Sequence, residues 1–168
     1  MTTGNLLRLL ATFALYVFLQ IFFVRNLVLF DFAFCYIYIG VILLLPFETT
    51  TITLLLVGFG TGLLVDIFYN TLGMHAAATT LMAYLRPLII RLLAPQRGYE
   101  ERMTLSVRSM GMRWFVAYIA ILTFVHHLLL FYVEASNIAL FFPTLLKVIA
   151  STLFSSLVLV ALQYLRRE

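Results

Sequence analysis

From Leu6 to Leu165 the chain is a succession of apolar runs broken by brief polar interruptions, and six of those runs approach the ~20 residues a helix needs to cross hydrocarbon. They cover residues 6–24, 32–47, 52–69, 72–93, 114–133 and 143–165. The second is the shortest, with sixteen residues between Asp31 and Glu48, and reads as a short tilted span or a re-entrant piece. Counting it, the expectation is an all-α integral membrane protein of six transmembrane helices. With 64% hydrophobic and 11% charged residues and a mean hydropathy of +1.07, the composition lies far from that of a soluble domain. The polar stretch 94–113 is too short to bury a core, so the 168 residues are expected to form one polytopic membrane domain.

The first run is longer than the ~7–15 apolar residues of a signal peptide and has no small-x-small site before Arg25, so it reads as a retained helix. Cys35 is the sole cysteine, which excludes an intrachain disulfide and a thiolate metal cluster.

Orientation follows from the basic residues, which are retained on the cytoplasmic side of short loops. With both termini inside, nine of eleven fall inside: Arg8, Arg86, Arg91, Arg97, Arg102, Arg108, Arg113, Arg166 and Arg167. Only Arg25 and Lys147 lie outside, among Asp31, Asp66 and Glu134. Loop 94–113 is then cytoplasmic. Its arginines obey topology and touch anionic lipid, or form a partner surface through Arg97, Arg102, Arg108 and Arg113. Met103, Val107 and Met110 recur at helical spacing, as on a short amphipathic segment. A nucleic-acid partner is not expected, because no basic patch is interleaved with aromatics.

In "GFGTGLLVDIFYNTLGMHAAATTLMAYL", Gly58 and Gly62 stand four apart, the spacing that lets helices approach closely in lipid. Asp66 follows on the same face. A carboxylate there can accept from free N–H groups at the start of the next helix, around Leu72 to Met74, contact a partner helix, or ionise in transport or catalysis. An aspartyl protease would need a second mid-span carboxylate, which is lacking, and Ser151, Ser155 and Ser156 stand in no glycine-rich nucleophile setting. No enzymatic activity is expected, and no cofactor.

His75, His126 and His127 are too scattered for a metal site. His126 and His127 read as interfacial residues that share a face with Glu134, and with Lys147 they would form an outer polar cluster. Pro143 suits the first turn of a helix, so Lys147 can snorkel to headgroups and pair with Glu134 or Asp66. Thr144, Lys147, Ser151 and Ser155 make a polar stripe, which marks a face packed on other helices with hydroxyls bonding backbone.

The segment "GLLVDIFYNTLGMHAAATTLMAYLRP" resembles the most recognisable part of the MreD family of bacterial rod-shape-determining proteins. That family has a Gly-Leu-x-x-Asp element, then Leu-Gly, then a small-residue span ending in an aromatic. The matching positions are Gly62, Leu63, Asp66, Leu72, Gly73 and Tyr84. Length, span number and the basic loop after the fourth span agree with it. The resemblance implies a non-catalytic scaffold of the elongasome in the bacterial inner membrane, supporting lateral peptidoglycan synthesis and rod cell shape. It implies MreC as partner, and through it MreB, RodA and RodA's transpeptidase. Gly58, Gly62, Asp66, Gly73 and Tyr84 are then the candidate packing and partner-contact residues. The family is also similar in fold to the substrate-capture subunits of energy-coupling-factor transporters, and a vitamin-type capture subunit is the alternative. The first span has no small-xxx-small pattern of the kind those subunits use to meet their transporter.

Overall fold

The computed structural model describes residues 3–96, 98–99 and 103–165. Five long helices carry the fold: α1 (Thr3–Phe22), α3 (Thr51–Tyr69), α4 (Met74–Leu92), α6 (Met112–Ala135) and α7 (Phe141–Leu165). Two one-turn helices, α2 (Gly40–Leu43) and α5 (Val107–Met110), complete the helical set among the described residues. α4 packs along α3 and α6, α7 lies along α6, and α1 closes against residues 37–43.

Among the described residues, three of the helices are long and apolar enough to cross a membrane: Thr51–Tyr69, Met112–Ala135 and Phe141–Tyr164. Their outward faces are what a bilayer requires. On α3, Ile52, Leu56, Phe59, Leu63 and Ile67 recur along one exposed stripe. The chain is thus an α-helical membrane protein.

The run at 32–47 is not a spanning helix, which corrects the sequence reading. After α1 the chain makes a 3-10 turn at Val24–Asn26 and a hairpin of β1 (Val28–Leu29) and β2 (Ala33–Phe34). It continues extended to a second 3-10 turn at Ile37–Ile39, which leads into α2. Phe30 and Asp31 turn the hairpin with positive φ of 53° and 63°. The segment is the centre of the core: Tyr38, Ile39, Ile42 and Leu43 are wholly buried among helices. Non-helical backbone at membrane depth is tolerable only where protein surrounds it and satisfies it. Aromatic residues at every second position, Phe32, Phe34, Tyr36 and Tyr38, carry the period of a strand, a signal outweighed by the apolar length of the run.

Loop 94–113 folds back on the bundle. Tyr99 donates to the Ile90 carbonyl at 2.5 Å and Trp114 Nε1 to the Leu93 carbonyl at 2.8 Å, so both close the C-terminal end of α4. Burial pushes the Tyr99 phenol above its ordinary value, which keeps it a neutral donor. Leu105 and Val107 are buried, and α5 is a single turn capped by Ser106. The amphipathic segment expected from Met103 to Met110 is therefore one turn tucked into the protein. Arg108 and Arg113 are exposed beside it, whereas Arg97 and Arg102 lie outside the described residues.

Candidate functional site

The junction of α3 and α4 is built from the glycine and aspartate pattern. A Cβ on Gly62 would stand 2.5 Å from Ala76 Cα, and one on Gly58 would stand 3.1 Å from the Thr79 carbonyl oxygen. Both glycines are therefore where α4 comes closest. Gly60 faces open space. Asp66, only 3% exposed, sits at the end of this groove. Its Oδ1 accepts from the His75 amide at 3.0 Å and from Thr71 Oγ1 at 2.5 Å, and its Oδ2 accepts from the Ala76 amide at 2.9 Å. The carboxylate caps α4 slightly deeper than Leu72 to Met74, and the helix N-terminus stabilises its charge. Gly73, with φ +81°, provides the left-handed turn into α4. Tyr84 points away from this junction and is 62% exposed.

Beside that junction, polar side chains from four helices satisfy the backbone of the buried segment. Ser151 and Ser155 of α7 accept from the amides of Phe34 and Tyr36, each at 2.9 Å. From α1, Gln20 accepts from the Ile37 amide at 2.7 Å and donates to the Cys35 carbonyl at 3.2 Å. Tyr118 of α6 donates to the Leu43 carbonyl at 2.9 Å. Arg86 of α4, 1% exposed, donates to the carbonyls of Leu45 and Pro46 and to Tyr118. The expected bonding of stripe hydroxyls to backbone is thus seen at Ser151 and Ser155, with an extended segment as recipient. Sequence reasoning did not single out Gln20, Tyr38, Arg86 or Tyr118. The available signal was an amide and a guanidinium inside otherwise apolar runs.

Partway along the segment the Tyr38 hydroxyl lies 2.9 Å from His75 Nδ1 and 2.8 Å from His126 Nε2. His126 Nδ1 is buried with no hydrogen-bond partner. The tautomer that leaves no N–H of His126 unpaired has Nε2–H donating to Tyr38 and Tyr38 donating to His75. His127 donates from Nδ1 to the Thr123 carbonyl at 2.7 Å, and its Nε2 lies 3.3 Å from Ser155 Oγ. Both members of the His126–His127 pair are wholly buried, so they are core residues and not interfacial ones, a second correction. Spacing along a helix shows which residues share a face; it does not show whether that face looks inward. Among the described residues, no His, Cys, Asp and Glu group could hold a metal ion.

Glu134 and Lys147 separate from the histidines and pair with each other at 2.8 Å, at the end of the bundle where α6 stops and α7 starts. Lys147 Nζ also lies 4.3 Å from the ring centre of Phe131 and 4.6 Å from that of Phe34. The expected cluster of four is therefore a buried pair and a surface ion pair with Phe131 between them.

The fold and this polar seam define an α-helical membrane protein in which several interior polar groups serve its own backbone. No protein-family model matches the sequence, and neither a curated protein nor a solved structure matches the chain.

Proposed function

We propose that the chain is a non-catalytic membrane scaffold of MreD type, acting in the elongasome of a bacterial inner membrane. The observation that carries the reading is the convergence of the motif positions Gly62, Asp66 and Gly73 on one helix junction. There glycine, carboxylate and left-handed turn each have a packing or capping task. Gly58 and Gly62 already receive α4 of the same chain, so partner helices meet the exposed flanks and the loop ends. In this reading the chain passes the membrane six times. Five passes are long helices, and the sixth is the buried segment that runs beside α4 from His75 to Arg86. Both termini are cytoplasmic, and Arg91, Arg108 and Arg113 mark that side. MreC is the expected direct partner, with MreB, RodA and its transpeptidase reached through it.

Co-purification of the tagged full chain in mild detergent, read by mass spectrometry, tests this. Recovery of MreC and cell-wall synthases is expected. Recovery of an ATPase module, or of a stoichiometric small molecule without wall proteins, would replace the scaffold by a transport subunit.

A further inference from the structure

We infer that the cleft between the end of α6 and the start of α7 binds the headgroup of an aminophospholipid of phosphatidylethanolamine type. The cleft measures 420 Å³ and is walled by Phe32 from the hairpin, Phe131 of α6, and Leu140 and Pro143 at the following turn. Glu134 and Lys147 supply its charge. Their side chains are 50% and 25% exposed, so both remain within reach of a ligand. The ring faces of Phe131 and Phe34 hold the Lys147 ammonium from below, so this cation keeps a favourable setting when Glu134 swings to another partner.

Charge complementarity selects the occupant. A zwitterionic headgroup with a primary amine replaces the ion pair by two pairs, phosphate on Lys147 and ammonium on Glu134. A phosphatidylglycerol would satisfy Lys147 but bring its phosphate beside the Glu134 carboxylate. A phosphatidylcholine has no N–H to donate to Glu134. The apolar remainder of such a lipid continues along the exposed flank of α7, where Leu146, Ile149 and Leu153 face outward. The site is independent of the scaffold reading.

The full chain, delipidated in detergent, is mixed with phosphatidylethanolamine, phosphatidylglycerol and phosphatidylcholine of equal acyl length and read by native mass spectrometry. Retention of phosphatidylethanolamine about fivefold above phosphatidylglycerol is expected, the scale of one exposed charge pair, with phosphatidylcholine between the two because its quaternary ammonium keeps the charge and loses the hydrogen bond. Glu134→Gln should bring it down to the phosphatidylglycerol level, and Lys147→Gln should lower both. Equal retention of the three lipids by the wild type, or an unchanged preference in Glu134→Gln, overturns the proposal. A photoreactive phosphatidylethanolamine on the wild-type protein needs no variant: adducts are expected within residues 131–153 and at residues 32–34, and adducts confined to other segments overturn it too.

Discussion

Single side chains in this protein matter through what they leave unpaired or displace. Asp66→Asn keeps one acceptor for three donors, so a buried amide at His75 or Ala76 loses its partner. We expect a loss of about 1–3 kcal/mol, read as a lower thermal midpoint in detergent. Tyr38→Phe removes the hydroxyl shared by His75 and His126 and should cost a similar amount, about 1–3 kcal/mol, by the same assay. The glycines separate cleanly. Gly62→Leu drives a side chain into the α4 backbone and should prevent the α3–α4 pair from closing, whereas Gly60→Leu meets nothing and should leave the stability within about 0.5 kcal/mol of wild type, read from the thermal midpoint. Equal effects would show that the two faces are not distinguished.

At the scale of elements, the buried segment 33–46 depends on donors and acceptors from other parts of the chain. Gln20→Leu leaves the Ile37 amide and the Cys35 carbonyl without their side-chain partner, and Ser155→Ala does so for the Tyr36 amide. Cys35 is buried near the start of this segment, directly after β2, and is the sole cysteine, so it reports directly on the segment's opening. Maleimide should label it slowly in the native protein and at least tenfold faster in Gln20→Leu, because local opening becomes cheaper by more than about 1.4 kcal/mol. Unchanged labelling would mean that apolar packing alone holds the segment. The hairpin at its upper end and the carbonyls bonded by Arg86 at its lower end fix both limits of this unit.

For the whole molecule, the proposed six-pass topology would place Thr71 and Asn137 on one side of the membrane and Ser109 on the other. Cysteines introduced singly at these positions should react with a membrane-impermeant reagent in intact cells at 71 and 137, and at 109 only after lysis. Labelling of all three from one side would remove the six-pass topology. The long helices were legible as apolar runs: 52–69 for Thr51–Tyr69, 114–133 for Met112–Ala135 and 143–165 for Phe141–Leu165. Hydropathy reports the free energy of leaving water, and for these segments a helix was the only way to satisfy a lipid-facing backbone. The same logic failed at 32–47, because neighbours there provide Gln20, Ser151, Ser155, Tyr118 and Arg86 as substitutes for helical bonds. The sequence by itself therefore determined that this is a membrane protein, and that Asp66 lies on the glycine face of its helix. Only the tertiary structure decided that one apolar run is a short strand followed by single turns, enclosed by the long helices, and that the histidine pair faces inward. Apolarity is a property of residues, but burial and the choice of hydrogen-bond partner belong to whatever the fold brings alongside.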